Sequence, residues 1–312
     1  MRLLGNNDIV TDTSQDFWSV VWDQDVRVIV MLTAESEGGQ LKCHPYWGTR
    51  EFGQMKLKAL SEKKVSLDAK RHRSPTERRE RDAAGRRRAN TMQTGDVVPG
   101  PPSPEPPHAI IRKFTLSHSA HPFSPMREIS QIHYSSWPDF GAPASPGQLL
   151  GLVELSNAVQ RALASPTSST RSEEPEDHTD ARPMLVHCSA GCGRTGTFCT
   201  IDSVIDMLKR QRKEAKNGIT PIDISSPLNG NDFFSKNKEG ISGDWLNDQD
   251  LDLIEKTVEE FRGQRLSMVQ SLRQYALCYE TILEWLTQQQ FGGSRPSVGR
   301  ERSGSESAGN LH

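Results

Sequence analysis

The segment Val186-His187-Cys188-Ser189-Ala190-Gly191-Cys192-Gly193-Arg194-Thr195-Gly196-Thr197-Phe198 concentrates residue types that can do chemistry. Met184-Leu185-Val186 is a short apolar strand. A small-residue loop follows, and a helix is expected from near Thr195, with apolar residues at Phe198, Ile201, Ile205 and Leu208. Ala190, Gly191 and Gly193 carry so little bulk that successive backbone N–H groups can point into one concavity. Such a nest at a helix N-terminus suits a tetrahedral oxyanion. Arg194 adds a planar fork able to hold two phosphate oxygens. Cys188 opens the loop, where the same positive field favours thiolate over thiol. The Cys-x5-Arg spacing lets the loop wrap one phosphate, with sulfur below phosphorus and guanidinium beside the equatorial oxygens. Thr195 can donate its hydroxyl to the sulfur. A buried structural cysteine at an ordinary strand–helix turn is the plainer alternative, and it would suit a lone Cys-x5-Arg. Here about eight positions agree with one mechanism.

These residues resemble the signature loop of the classical protein tyrosine phosphatases, and the resemblance extends outward in family order. Trp137-Pro138-Asp139-Phe140-Gly141, preceded by His133-Tyr134, is similar to the family's mobile acid loop. Met268-Val269-Gln270 with Gln274-Tyr275 resembles its glutamine loop, and Arg262 and Arg265 stand at the family spacing before it. Glu37, Leu41-Lys42-Cys43 and Tyr46-Trp47 resemble a further segment whose carboxylate braces the signature arginine. The likeness covers most of residues 15–50, 109–163, 183–212 and 249–288. The Ala-Gly-Cys-Gly wording and the long polar inserts resemble those of fungal members of the family.

The resemblance implies hydrolysis of phosphotyrosine in proteins through a cysteinyl-phosphate, without a cofactor or metal. Cys188 would be the nucleophile. Asp139 would be the general acid and then the base for a water positioned by Gln270. Arg194 and the amides of Ser189, Ala190, Gly191, Cys192, Gly193 and Arg194 would stabilise the equatorial oxygens. Thr195 and His187 complete the catalytic group, while Phe140, Gln274, Lys42 and Glu37 are expected around the substrate. Duller alternatives stand beside several of these. His187 could ligate zinc with Cys188 and Cys192 rather than order the loop. Asp139 could cap a turn, and Lys42 could be a solvated charge. Cys192 is either a plain small side chain or the partner of a protective disulfide under oxidation.

Residues 1–13 contain no counterpart of the family's Asn-x-x-Lys-Asn-Arg-Tyr recognition loop, nor does the chain contain its Thr-Gln-Gly-Pro turn. The resemblance therefore implies an N-terminally incomplete domain, a pocket short of one wall and an open sheet edge. A truncated phosphotyrosine-binding regulatory protein with little turnover is the rival function. A dual-specificity or lipid phosphatase ranks below it, because that group usually lacks the Trp-Pro-Asp and glutamine-loop combination.

The elements that must position this loop read as α/β, a central mixed twisted sheet flanked by helices. Asp16 to Trp22 has helical spacing behind the N-cap candidates Thr13 and Ser14. Val26 to Leu32, Ala109 to Leu116 and Met126 to Tyr134 are strand candidates, and Pro146 to Ala164 is an amphipathic helix. Among 312 residues, a hydrophobic fraction of 34% and a mean hydropathy of −0.64 are low for one packed globule. One domain over residues 1–290 is expected, with disordered inserts at about 52–108, 165–182 and 213–248 and a disordered tail over 291–312. The stretch 56–90 holds 13 Lys/Arg and five Asp/Glu. Its clusters Lys70-Arg71-His72-Arg73 and Arg86-Arg87-Arg88 suit a solvated insert or a nuclear-localisation patch.

A net charge of −2 gives no support for nucleic-acid binding, and Val28 to Leu32 is too short to span a bilayer. Five cysteines at irregular spacing are not a disulfide framework. The expectation is a soluble, monomeric protein of the cytoplasm, with phosphotyrosine proteins as its partners.

Overall fold

The structure, a computed structural model, describes residues 2–3, 11–48, 50–67, 107–138, 141, 143, 145–163, 174–175, 182–216 and 251–292. Seven strands form one mixed sheet in the order β1-β9-β2-β8-β7-β6-β5. They are β1 (Arg2–Leu3), β2 (Val28–Met31), β5 (Arg50–Phe52), β6 (Met55–Ser66), β7 (His108–His118), β8 (Arg127–His133) and β9 (Met184–His187). The pairs β1/β9, β9/β2 and β2/β8 are parallel, and the remaining pairs are antiparallel. A separate hairpin joins β3 (Ser36–Glu37) and β4 (Gln40–Leu41). Its turn is Gly38-Gly39, both at positive φ (57° and 80°), the backbone that a two-residue hairpin of this hand requires.

Strands β2 and β9 are covered on both faces, which is why they are short, nearly continuous apolar runs rather than alternating ones. Successive side chains nevertheless go to opposite sides. Val28 and Val30 of β2 and Val186 of β9 join a core built with α2 (Pro146–Leu163), α3 (Gly193–Lys216), α4 (Leu253–Gln264) and α5 (Leu272–Gly292). Ile29, Met31 and Leu185 join a second core with the aromatic residues Phe17, Trp18 and Trp22 of α1 (Thr11–Asp23). The period of two thus sends His187 to the aromatic side and Cys188 to the helical side.

Several boundaries differ from those expected. Helix α1 starts at Thr11, so Thr13 and Ser14 lie inside its first turn and do not precede it. Helix α3 starts at Gly193, two residues early. The insert expected from residue 52 is sheet as far as Ser66. There, β6 pairs with β7 from Met55↔His118 to Ser66↔His108, through an irregularity between Ala59 and Ser61. Its Lys-rich sequence hides this, because Lys58 to Lys64 is exposed on both faces and leaves no alternation to read.

Helix α3 runs on to Lys216 and α5 to Gly292, into segments expected to be disordered. Arg182 is fixed by Asp25, with Nε 2.7 Å from Oδ2. On the side of the sheet where β9 lies, β1 is the edge strand, with Arg2↔Leu185 and Leu3↔Val186 in register. The clusters Lys70-Arg71-His72-Arg73 and Arg86-Arg87-Arg88, and most of each expected insert, lie outside the described residues. No helix among the described residues is long and apolar enough to cross a membrane.

Candidate active site

Strand β9 delivers Cys188 to the C-terminal end of the parallel strands, and α3 begins five residues later, so Ser189 to Cys192 turn tightly between the two. Gly191, at φ 69°, supplies the positive dihedral that this turn needs at no steric cost. Its N–H donates to Cys188 Sγ at 3.2 Å, and the Thr195 hydroxyl donates to the same sulfur at 3.2 Å. Two donors therefore converge on one buried sulfur. The other deep cysteines are arranged differently. Burial pushes Cys43 and Cys278 up to about 12 and Cys199 well above its ordinary range, so those thiols stay protonated. All five cysteines are free.

Arg194 is 2% exposed. Its Nη1 donates to Glu37 Oε1 at 2.6 Å and to the Trp137 carbonyl at 2.8 Å. Glu37 is set in place by the β3–β4 hairpin and by the Thr33 hydroxyl, which donates to the same Oε1 at 3.1 Å. Trp137 is fully buried, and its indole N–H donates to Gly141 O at 3.0 Å. The Gly141 N–H in turn donates to Pro138 O at 3.2 Å, which brackets positions 139 and 140. Asp139 and Phe140 themselves lie outside the described residues.

His187 is fully buried and neutral. Desolvation moves it down to about 4, partly opposed by its bond to the backbone at Cys188. Tyr46 stays a phenol, its titration pushed far up by burial. Gln131 Nε2 donates to Tyr46 Oη at 2.9 Å, so the phenol proton goes to His187 Nε2 at 2.6 Å. That leaves the His187 proton on Nδ1, facing the Cys188 carbonyl at 3.3 Å. Both ring nitrogens are engaged in this chain of bonds, which ties His187 to Tyr46 and to the loop backbone. No grouping of His, Cys, Asp and Glu among the described residues is arranged to hold a metal.

On the helical side the reactive loop rests on the segment 265–271. Arg262 donates to the carbonyls of Met268 and Val269, each at 3.0 Å, and fixes a backbone in which Ser267 and Val269 have positive φ. Val269 N–H donates to Cys192 O at 3.3 Å. Arg265 reaches the loop itself, with Nε to Cys192 Sγ at 3.1 Å and Nη2 to Ala190 O at 2.9 Å. Two glycines permit this approach. A Cβ on Gly196 would lie 2.6 Å from Val269 N, and one on Gly193 would lie 2.9 Å from Gln270 Oε1.

Gln270 therefore stands against the reactive loop. Gln274, also expected at the substrate, stands there too, its Oε1 2.8 Å from the same Cβ position on Gly193; it is buried, and that Oε1 accepts from the N–H groups of Gln270 and Ser271 at 3.1 and 3.3 Å. Ser189 and Ala190 are half-exposed at the loop mouth, while Gly191 to Arg194 are buried. Lys42 follows β4, and its N–H donates to Glu35 O at 2.8 Å. The sequence reading missed Thr33 and Gln131. Gly38-Gly39 was the available signal for the hairpin that carries Glu37. Gln131 gave none, since its partner is 85 residues away.

Buried thiol, amide turn, guanidinium and adjacent glutamine thus stand together at the end of β9. A family model described as protein-tyrosine phosphatase matches residues 9–226, and the chain belongs to that family. It is 28% identical to the tyrosine-protein phosphatase corkscrew of Drosophila virilis, over 89% of this chain and 25% of that protein. It is 25% identical to the human tyrosine-protein phosphatase non-receptor type 9, over 90% of this chain and 34% of that protein. Identity to the mouse receptor-type tyrosine-protein phosphatase epsilon is 27%, over 88% and 26%. The chain thus spans between a quarter and about a third of the length of these relatives.

Proposed function

We propose that the chain hydrolyses phosphotyrosine in proteins through a phosphorylated Cys188. The observation that carries this reading is the sulfur of Cys188 with the Gly191 amide and the Thr195 hydroxyl both donating to it, in a loop closed by the buried Arg194. The Cys188 thiolate attacks phosphorus in line. The S–P bond forms as the P–O bond to the tyrosine ring breaks, and Asp139 gives its proton to the departing phenolate oxygen. Arg194 and the loop amides hold the three equatorial oxygens as charge redistributes. In the second step a water placed by Gln270 loses its proton to Asp139 and attacks phosphorus. The S–P bond breaks, inorganic phosphate leaves and the thiolate is restored.

His187, Glu37, Arg262 and Arg265 act through the groups they position. The names of the relatives and the full set of chemical residues support tyrosine phosphate as substrate. The five cysteines suit a reducing cytoplasm, where the chain would work as a monomer.

The test is rapid mixing of the folded protein with ³²P-labelled phosphotyrosine peptide, followed by an acid quench. Radiolabel should appear on Cys188 and vanish in Cys188→Ser, with vanadate inhibiting steady turnover of p-nitrophenyl phosphate. Asp139→Ala should slow turnover by about 10²–10⁴ while substrate still binds. A folded wild-type protein that never carries label would leave the phosphotyrosine-binding reading in its place.

A further inference from the structure

Strands β6, β7 and β8 place Glu62, Arg112 and Gln131 on one rung, with Glu62 opposite Arg112 and Arg112 opposite Gln131. Side chains directly across a sheet stand close enough to interact. Arg112 Nε donates to Glu62 Oε2 at 2.7 Å, and the guanidinium carbon lies 5.0 Å from the centre of the Trp47 ring. The fork is thus anchored at its outer side, where Glu62 is 61% exposed, while Arg112 itself is only 11% exposed. Its Nη1 carries two hydrogens and meets two acceptors, Gln131 Oε1 at 3.2 Å and His133 Nδ1 at 3.1 Å.

Each acceptor begins a chain that ends at the reactive loop. With its oxygen taken by Arg112, the Gln131 amide presents Nε2 to Tyr46 Oη at 2.9 Å. Tyr46 then donates to His187 Nε2, and the His187 proton stays on Nδ1, toward the Cys188 carbonyl. With Nδ1 of His133 also taken, that ring carries its proton on Nε2 and donates to Thr33 O at 2.8 Å. The Thr33 hydroxyl donates to Glu37 Oε1, the oxygen that Arg194 Nη1 meets at 2.6 Å. Burial keeps both imidazoles neutral, so each ring has a single proton to place. A turned Gln131 amide would reverse the first chain. Tyr46 would donate to Gln131, His187 Nε2 would donate to Tyr46, and a bare Nδ1 would face the Cys188 carbonyl, acceptor against acceptor.

We propose that Arg112 is a positioning residue, the common root that sets the direction of both chains and so aligns the Cys188 backbone and Arg194 together. The proposal rests on the phosphatase reading for its effect on rate, and it goes beyond that reading by assigning a residue outside the reacting group. A point charge would not serve, because one planar group must donate to two acceptors while a third bond holds it.

The test uses the full chain labelled with ¹⁵N, in which long-range ¹H–¹⁵N correlation shows the protonated nitrogen of each histidine ring without any need for turnover. In the wild type His187 should be protonated on Nδ1 and His133 on Nε2. Arg112→Met keeps an apolar stem and removes the donors, with thermal unfolding confirming that it is folded. In it His187 should become a mixture of tautomers, and kcat on p-nitrophenyl phosphate should fall roughly tenfold with KM changed by less than about twofold. Should that variant fail to fold, Arg112→Lys, which keeps the charge and loses the fork, should move the His187 tautomer in the same direction. A wild-type His187 protonated on Nε2, or either readout unmoved in a folded variant, overturns the proposal. A fall in kcat with both tautomers intact is such a case and would leave Arg112 a merely structural role. Tautomers that respond to Arg112→Met in a chain without turnover would sink the hydrolase and keep the positioning, whereas normal turnover with unmoved tautomers would do the reverse.

Discussion

The reactive loop is gripped from both faces of the parallel strands, and the two grips use different physics. On the aromatic face the contact is a directed chain of hydrogen bonds, Gln131 to Tyr46 to His187 to the Cys188 carbonyl, sealed among Phe17, Trp18 and Trp47. It works only while every proton sits on one particular atom. On the helical face the contact is close approach of two backbones, made possible by Gly193 and Gly196 and held by Arg262 and Arg265. That grip is indifferent to protonation and intolerant of volume. One face should therefore fail with acid and the other with a methyl group.

The largest expected effect is on the aromatic side. His187 and His133 are both held neutral down to about 4, chiefly by burial. For His133, Arg112 Nη1 also occupies Nδ1 at 3.1 Å, where an added proton would meet a cation. Each folded pKa lies below the unfolded value. The stability from neutrality is therefore complete above about pH 6.5 and is lost as pH falls toward 4. Chemical denaturation at pH 7 and pH 4.5 should differ by roughly 3–5 kcal/mol from these two groups. A flat profile over that range would remove the buried chain as a determinant.

Next comes Gly196→Ala, which drives a Cβ against Val269 N and should cost about 3 kcal/mol in urea unfolding. Its loss should be the same at both pH values, which separates the two grips. Tyr46→Phe removes the donor to His187 and the acceptor for Gln131, for about 1–3 kcal/mol, and should weaken the acid sensitivity. The smallest effect is that of Thr33→Val, about 0.5–1.5 kcal/mol, read as a shift in midpoint with Arg194 still paired to Glu37.

The same contrast explains what the sequence makes legible. β2 and β9 can be read because strands covered on both faces are apolar almost throughout, and α2 because Leu152, Leu155 and Val159 keep helical spacing on its packed side. Cys188, Arg194, Thr195 and Gln270 are legible because their chemistry is local or carried by a motif. β6 is not, since its exposed Lys58 to Lys64 stretch is held by pairing with β7 and not by burial. Gln131 and Thr33 escape notice because hydroxyls and amides on buried strands gain their meaning from partners brought by the fold. Gln274 is recognisable by position, yet its acceptor turns inward to the loop's own amides.

The junction at Leu67 has a consequence for how this chain can be altered. Leu67 N–H donates to Pro107 O at 2.9 Å immediately after the last β6–β7 rung, and its carbonyl lies where a Cβ on Gly151 would strike it. The departure and return points of residues 68–106 are thus zipped shut by the scaffold itself. Each halving or doubling of that excursion alters closure entropy by only about 0.6 kcal/mol. The position is a ready port for grafting, where a reporter or a second binding module could be spliced in without re-engineering the sheet.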